Sequence, residues 1–405
     1  MSGLLDGVTV LDLTRVVAGP ACTRTLCDYG AHVIKIEPPE GDLMRRGVPK
    51  ANGVALGFAQ QNVGKAHLCI DLSKPDGTRL VRRLAALADI VVENYRPGVA
   101  DRLGIGYADV REDNPNVIYC SITGYGQDGP AAHRRAYAPV IHAELGLLEM
   151  NARERGTDPM PESVSHVDFA VAAQSASAIL AALFNRERTG QGQHIDVTMA
   201  ETMLATNEFS AVEVNGGLGD EISPFRPGKA VLLKLGDGSW AQVPGNPTTW
   251  VFGVAKALGR IEELTARGWH SIADTQGHDD EIRSLMQEWA GAYENAAAFE
   301  QALDSVRIPV GAVKSLADAV SEDWAAHRGV LLELEVNGAP RRIPRSPARF
   351  SNAEVGPRRG AYLRGADNRA ELKAQLGLSD AEVDALESSG VLLSEEETPS
   401  NSARK

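Results

Sequence analysis

The sequence is poor in cysteine, and its four cysteines are not spaced like metal ligands or disulfide partners. They are Cys22, Cys27, Cys69 and Cys120, and no two of them form a C-x-x-C pair. This spacing argues against a zinc site and against a disulfide scaffold. Cys120 lies in the apolar run 117–122, which is typical of a buried, reduced thiol. We therefore expect no zinc site, no disulfide scaffold and a reduced Cys120.

A targeting signal and a long apolar run are also missing. The first residues, MSGLLDGVTVLDL, contain no basic region followed by an apolar one, which argues against a secretory signal peptide. No run of about 18 consecutive apolar residues occurs, so we expect no membrane span and a cytoplasmic location. The net charge of −13 argues against nucleic acid as a partner. It leaves room for an anionic ligand, because such a site needs only a few local cations and helix N-termini.

Residues 1–125 alternate between strand-like and helix-like segments. Short apolar segments rich in β-branched residues predict five strands here, at 8–13, 32–37, 67–72, 89–94 and 116–122. A sixth strand is predicted later in the chain, at 194–199. Helices are predicted between some of them, at 22–29 and 78–87. Strands separated by helices of this length predict a parallel sheet with helices on both faces. Ligands bind beyond the carboxyl ends of such strands, which here are rich in Gly, Pro, Arg and Asn.

The second half of the chain contains longer helical patterns and then a change in composition. Residues 168–186 predict one Ala-rich helix with Asp168 as its N-cap, and 200–214 predict another helix. Stretches rich in Gly, Pro and Asp at 216–230 and 236–247 predict a domain boundary near residue 220.

We divide the chain into a large domain, a smaller domain and a tail. The ranges are 1–220 for the first part of the large domain, 221–330 for the smaller domain, 331–393 for the return to the large domain and 394–405 for a disordered tail. The tail is assigned to disorder because it is polar and has almost no apolar residues.

Several motifs between about residues 3 and 392 point to one family. The most specific are VENYRPG at 92–98 and RTGQGQ at 188–193, and HVIKIEPPEGD at 32–42 and NPNVIYCSITGYGQDGP at 114–130 accompany them. Read together, they resemble the family III CoA-transferases of the CaiB/BaiF type, which include formyl-CoA and carnitine-CoA transferases. The resemblance implies an α/β fold: a six-stranded Rossmann-like large domain, built from both chain ends, with a smaller α/β domain between them. It also implies an interlocked homodimer.

The family resemblance implies a covalent transfer of coenzyme A between carboxylic acids. A carboxylate attacks the acyl-CoA carbonyl, the CoA thiolate returns to the mixed anhydride, and a CoA thioester forms on the enzyme. In the family the nucleophile is an Asp at the start of the long helix before the RTGxGQ turn, which here is Asp168. A plain helix N-cap, worth about 1 kcal/mol, is the structural alternative for this residue. We expect CoA and acyl-CoA as substrates and no tightly bound cofactor.

The resemblance also implies a CoA site, carried over position by position. Its residues follow the ends of the first, third and fourth strands or precede the AY pair, and they are Val17, Ala18, Ile70, Ser73, Asn94, Tyr95, Arg96, Arg102 and Arg135. Guanidinium groups suit the phosphates of CoA, and a tyrosine ring offers a face to adenine. For any single arginine, a solvated surface position is the alternative.

The chain departs from the family pattern at several positions. Some members carry Gln where this chain has Val17, and many carry an acidic residue at Ala138 and Gln at His142. His142 could orient a substrate carboxylate, but on an apolar helix it more often belongs to the core. A glycine loop that closes over the formyl-CoA enzyme has its nearest counterpart at 216–219.

Two other functions stay open at this point. The α-methylacyl-CoA racemases share the fold, but they place His and Asp where this chain has Tyr137 and Ala138, and racemisation needs such an acid–base pair. A non-catalytic CoA-binding subunit of a mixed transferase is the second alternative. The polar groups missing at Val17 and Ala138 favour that reading, and the retained Asp168 opposes it.

Overall fold

The computed structural model describes residues 3–217 and 230–395, which form two compact units. Of these residues, the first unit combines 3–145, 162–207 and 326–395, and the second combines 146–161, 208–217 and 230–325. The predicted boundary near 220 and the predicted tail from residue 396 onward lie outside the described residues. Residues 146–161, which the sequence analysis placed in the large domain, belong by their contacts to the second unit. Within that unit Arg153 pairs with Glu213, at 2.8 Å between Nη2 and Oε2.

The described residues contain thirteen strands and eighteen α-helices. The strands are β1 (Thr9–Asp12), β2 (His32–Glu37), β3 (Lys50–Ala51), β4 (Val54–Ala55), β5 (Ala66–Cys69), β6 (Ile90–Glu93), β7 (Ile118–Thr123), β8 (Gln193–Thr198), β9 (Val231–Lys234), β10 (Trp240–Val243), β11 (Gly311–Ala312), β12 (Leu331–Val336) and β13 (Ala339–Pro344). The helices are α1 (Ala18–Asp28), α2 (Leu56–Asn62), α3 (Pro75–Leu87), α4 (Val99–Arg102), α5 (Tyr107–Asp113), α6 (Ala138–Glu144), α7 (Leu147–Arg155), α8 (His166–Thr189), α9 (Met199–Thr206), α10 (Ser210–Val214), α11 (Pro247–Ala257), α12 (Ile261–Ala266), α13 (Asp279–Gly291), α14 (Ala296–Leu303), α15 (Leu316–Ala319), α16 (Asp323–Arg328), α17 (Asn368–Leu376) and α18 (Asp380–Ser388).

A six-stranded parallel sheet forms the centre of the first unit, which confirms the predicted α/β class. Its strand order is β5-β2-β1-β6-β7-β8, and every neighbouring pair is parallel. Val10 of β1 pairs with Val33 on one side and with Ile90 on the other. Both faces of the central strands are buried, so these strands are continuous apolar runs and do not alternate. Because all six strands run the same way, their carboxyl ends meet at one edge.

Both ends of the chain contribute to the core of this unit. Side chains from β1, β5 and α3 pack in one cluster with Leu372 of α17 and Val383 of α18. Helix α18 begins with a capping box, in which the Ser379 hydroxyl accepts from the Glu382 N–H at 3.3 Å and the Glu382 carboxylate accepts from the Ser379 N–H at 2.8 Å. The late helices therefore cover the sheet that the first hundred residues build.

Helix α1 is longer at its start than the sequence predicts. The prediction placed 22–29 in the helix and residues 15–21 in a loop, but α1 begins at Ala18. Gly19 and Pro20 fall in its first turn, where proline is tolerated because the N–H groups there have no intrahelical acceptor. This early start brings the first turn of α1 to the carboxyl end of β1.

Helix α8 also starts earlier than predicted, and this changes the position of Asp168. The helix begins at His166 with Ser165 as N-cap, so the expected N-cap at Asp168 is wrong. Asp168 occupies the third helical position, and its N–H donates to the Ser165 carbonyl at 3.1 Å. The apolar Val167 just before it is 1% exposed, and its burial draws the preceding turn into the helix. At the other end, Gly190 adopts φ 72° immediately after Thr189.

Helix α8 is long and apolar enough, by length and composition alone, to cross a membrane. The sequence analysis expected no such segment. The same test is passed by core helices of globular proteins, and the inner face of α8 is buried within the first unit through Val171, Ser175 and Ile179. The neighbours of this helix in that unit include α1, β7 and β8.

The predicted helix over 200–214 is broken into α9 and α10. Helix α9 ends because the backbone becomes extended at Asn207, which has φ −94° and ψ 110°. It passes from the first unit to the second between Asn207 and Glu208. In the second unit, β9, β10 and β11 form an antiparallel sheet, and α11, α13 and α14 pack in a core with Trp289 and Phe299.

Candidate active site

A cavity of about 330 Å³ lies at the carboxyl edge of the parallel sheet. It is formed by the ends of β1, β6 and β7 together with the first turns of α1 and α8. Seven residues predicted from the sequence line it: Val17, Ala18, Asn94, Tyr95, Arg96, Arg135 and Asp168. The topology explains their meeting, since parallel strands present their carboxyl ends together.

Asp168 presents a half-buried carboxylate to this cavity from the first turn of α8. No side chain among the described residues pairs with that carboxylate, and burial raises its pKa from the ordinary aspartate value to about 6. At neutral pH the group is still mostly ionised, and the helix N-terminus favours that form. A carboxylate that is ionised, partly desolvated and unpaired is suited to act as a nucleophile.

Asn94 is in the cavity wall, but its side-chain amide is committed to the backbone of Arg15. Its Oδ1 accepts from the Arg15 N–H at 2.9 Å, and its Nδ2 donates to the Arg15 carbonyl at 2.8 Å. Asn94 therefore fixes the loop after β1 to the end of β6. Its contribution to the site comes from holding that loop in place.

Four arginines line the cavity, and Asp168 is the one acidic residue among the lining side chains. The arginines are Arg15, Arg96, Arg134 and Arg135. Arg134 forms an ion pair with Glu144 and lies 4.7 Å from the centre of the Tyr125 ring. The cavity is thus locally cationic in a chain whose net charge is −13. Such a local field favours a phosphorylated or carboxylated ligand.

Arg15 also lines the cavity, although it is not among the residues predicted from the sequence. It is exposed, and its guanidinium carbon lies 5.9 Å from the centre of the Tyr95 ring. Its position in the LTRVVAGP stretch, between the end of β1 and the start of α1, was the available signal. Arg15 and Tyr95 also line a second cavity of about 240 Å³.

The remaining three predicted CoA residues lie away from the main cavity. Ser73 lines the second cavity, where its hydroxyl donates to Asp71 at 2.6 Å. Ile70 is fully buried in the core, since its backbone continues β5 and pairs with Leu392. Its side chain therefore lines neither of the two cavities. Arg102 is exposed at the end of α4 and lines neither of these two cavities.

His142 is a structural residue at the base of α8. It is 2% exposed, and its Nε2 accepts the N–H of Val167 at 3.3 Å. Burial, together with nearby His166, lowers its pKa, so it is neutral at neutral pH. Tyr137, whose side chain is a phenol, lines the cavity, and Ala138 is buried. These positions offer no imidazole–carboxylate pair of the kind that racemisation requires.

The candidate glycine loop, 216–219, lies partly outside the described residues. Gly216 and Gly217 are in the second unit with φ of 103° and 75°, and positions 218 and 219 are outside the described range.

Comparison with known proteins gives one consistent result. The sequence profile of CoA-transferase family III matches residues 5–368. A mouse protein named succinyl-CoA:glutarate CoA-transferase is 33% identical over 405 aligned positions, which cover 96% of this chain and 90% of the relative. A protein of Streptomyces coelicolor named formyl-CoA:oxalate CoA-transferase is 28% identical and covers 96% of this chain and 99% of its own length.

Solved structures agree with this result. A CaiB/BaiF family protein from Brucella suis has a TM-score of 0.79 and 30% identity, over 93% of this chain and 100% of that chain. The profile match covers most of the chain, and the relatives match over nearly their whole length. The chain therefore belongs to CoA-transferase family III.

Proposed function

We propose that this CoA-transferase moves coenzyme A from an acyl-CoA donor to a carboxylic acid acceptor through an aspartyl-CoA thioester on Asp168. The observation that carries the proposal is the unpaired Asp168 carboxylate in a cavity lined by four arginines. The nucleophile and the cations that an anionic thioester requires are thus in one place.

The chemistry conserves the thioester energy in two mirrored halves. The Asp168 carboxylate attacks the donor carbonyl, the C–S bond breaks, and a mixed anhydride and CoA thiolate result. The thiolate then attacks the aspartyl carbonyl, which releases the donor acid and leaves CoA on Asp168. The acceptor carboxylate attacks this thioester, and the thiolate finally attacks the acceptor acyl carbon and frees Asp168. Protons and water are not consumed in any step.

The start of α1 supplies donors for the tetrahedral oxyanions. Ala18 and Gly19 are the first two residues of the helix, and their N–H groups have no intrahelical acceptor. Val17, the N-cap, has no side-chain oxygen that could occupy these donors. Val17 and Ala18 line the same cavity as Asp168. Preorganised N–H groups at such a position stabilise the negative charge that develops during acyl transfer.

The first prediction tests the covalent intermediate. Incubation with a panel of acyl-CoA donors, beginning with succinyl-CoA and without acceptor, is expected to leave CoA on Asp168. Hydroxylamine then converts that peptide to a hydroxamate, which mass spectrometry detects. Asp168→Asn is expected to lower the transfer rate on the order of 10³-fold or more, because a neutral amide is a poor nucleophile.

The fold of the Asp168→Asn variant is expected to be kept, since Ser165 and not Asp168 occupies the N-cap position of α8 and no described side chain pairs with Asp168. Circular dichroism and CoA binding check this point. Normal transfer by a folded variant, purified free of deamidated protein, would exclude Asp168 as the nucleophile. A non-catalytic CoA-binding subunit would bind CoA and never become labelled.

The second prediction concerns pH. Burial raises the pKa of Asp168 to about 6, and only the ionised form attacks. We expect kcat/KM to be level above that pH and to fall about tenfold per pH unit below it, because kcat/KM reports the ionisation of the free enzyme. Stopped assays between about pH 4.5 and about pH 8 give the profile.

A control is needed because burial also raises the pKa of Glu93 to about 7. Its carboxylate accepts the Tyr95 N–H at 2.7 Å. The Glu93→Gln variant is expected to keep the acid limb near pH 6. A wild-type profile that stays level down to about pH 5 would indicate an ordinary aspartate and contradict the prediction.

The third prediction separates two arginines that the family resemblance places together. Arg135 lines the main cavity, whereas Arg102 lines neither cavity. Arg135→Ala is expected to weaken CoA binding by about tenfold, since a charge-assisted contact to phosphate is lost, and Arg102→Ala by less than about twofold. Titration calorimetry at low and high salt measures both, and salt should weaken the wild type more than Arg135→Ala. Equal losses of CoA affinity in the two variants would contradict the assignment of the phosphate contact to Arg135 and not to Arg102.

We also propose that two chains form an interlocked homodimer, the arrangement that the family topology implies. The outer face of α8 supports this proposal. Phe169 and Phe184 on it are 42% and 67% exposed, and the small residues Ala173, Ser177 and Ala181 lie between them. Large exposed aromatic side chains mark interaction surfaces, and small residues between them allow close approach of a second helix.

The fourth prediction is that sedimentation at micromolar concentration gives twice the chain mass of 43.2 kDa. Phe184→Asp is expected to disrupt the dimer. Leu87→Asp, at a 58% exposed position of α3, is the matched control and should stay dimeric. A folded wild-type monomer at micromolar concentration would contradict the proposal.

We also propose a cytoplasmic location, because the four cysteines are free and buried.

A further inference from the structure

The loop between β1 and α1 contains a residue with a strained backbone conformation. Val16 adopts φ 71°, in the left-handed region, where a β-branched side chain is rarely found. Such a conformation persists only where the surrounding structure imposes it. Val16 lines the same cavity as Asp168.

Asp42 imposes this conformation from the segment after β2. The Val16 N–H donates to both carboxylate oxygens of Asp42, each at 3.1 Å. Asp42 itself is 2% exposed, and its own N–H donates to Glu37 at 3.0 Å. Glu37 in turn forms two bonds with Arg45, at 2.7 Å and 2.6 Å. The backbone of Asp42 is therefore anchored to Glu37, while its carboxylate accepts from Val16.

Lys35 links Asp42 to the other side of the same loop. Its Nζ lies 3.5 Å from Asp42 Oδ2 and donates to the Thr14 carbonyl at 2.7 Å. Burial alone would lower the pKa of Lys35, but Asp12 and Asp42 outweigh that effect and raise it. Lys35 is thus a charged ammonium group, fully buried between the loop and Asp42.

The loop is held at three consecutive residues by side chains from other elements. Thr14 donates through its N–H to Asp12 at 2.9 Å, Arg15 is held by Asn94, and Val16 is held by Asp42. Of these three contacts, the hydrogen bonds from Val16 to Asp42 are the ones that act against a backbone preference, since valine favours negative φ. Release of Val16 to negative φ would rotate the next peptide and shift the N–H groups at the start of α1.

We propose that Asp42 is a positioning residue, which keeps Val16 in the left-handed conformation and so aims the first turn of α1 at the carboxylate of Asp168. The inference rests on the function proposed above. It gives the GD pair of the motif HVIKIEPPEGD a role in the transfer reaction, although Asp42 does not line the cavity that contains Asp168.

The test is a double-mutant cycle between Asp42 and Val16. In the native chain, Asp42→Ala is expected to lower kcat on the order of 10²-fold, with a much smaller change in CoA affinity, because a small misplacement of donors is costly in the transition state. In the Val16→Gly background the same substitution should lower kcat less than about tenfold, since glycine adopts positive φ without help. Asp42→Asn, which keeps one acceptor oxygen, serves if Asp42→Ala does not fold.

A purely structural role for Asp42 predicts equal losses in both backgrounds, and that result would overturn the proposal. The matched control is Asp28→Ala, which breaks the buried pair of Asp28 with Arg24, 2.6 Å apart, inside α1. It should lower stability and leave kcat unchanged.

The cycle stays informative if the proposed nucleophile is wrong. If Asp42 and Val16 show no coupling and the Asp168→Asn variant is inactive, only the positioning role is rejected. If Asp42 and Val16 are coupled and the Asp168→Asn variant is fully active, the positioning role is supported and only Asp168 as the nucleophile is rejected.

Discussion

The buried carboxylate of Asp12 is the group on which the arrangement of the catalytic edge depends. It is fully buried at the end of the central strand β1. It accepts from Lys65 at 2.9 Å, from Thr23 at 2.7 Å and from the Thr14 N–H at 2.9 Å. Burial alone would raise the pKa of Asp12, but Lys35 and Lys65 outweigh that effect and lower it. Removing one member of such a buried pair typically costs about 3–5 kcal/mol, since the remaining charge is left without a partner.

The geometry of these charges matters more than their net stabilising energy. Well-packed apolar residues of similar size are often as stable as a buried ion pair. Apolar side chains, however, would not fix individual peptides of a loop. Lys65 reaches from the start of β5 to the Pro20 carbonyl of α1 at 3.0 Å, and Lys35 reaches from β2 to the Thr14 carbonyl. Charged groups on three neighbouring strands thus determine where the loop runs and where α1 begins.

The sequence predicts the sheet well because each strand is a short apolar run and the helices between them force parallel order. Through the family motifs it also gives seven of the residues that line the cavity, Asp168 among them. It fails where tertiary contacts decide the outcome. Burial of Val167 extends α8 backwards past Asp168, and the side chain of Ile70 turns into the core. The committed amide of Asn94 and the clamp on Val16 depend on pairs 79 and 26 residues apart, which local patterns do not show.

The environment of Asp168 meets two demands that its proposed role as a carboxylate nucleophile places on the protein. Attack on a thioester is faster for a more basic carboxylate, and partial burial makes Asp168 more basic by raising its pKa to about 6. The same burial limits the access of water, which would hydrolyse the acyl intermediate and waste the thioester energy. A direct arginine partner would lower the pKa again and remove this advantage. The arginines that line the cavity do not pair with Asp168, and the charged clusters beneath the loop satisfy one another. The carboxylate of Asp168 therefore stays without a side-chain partner among the described residues.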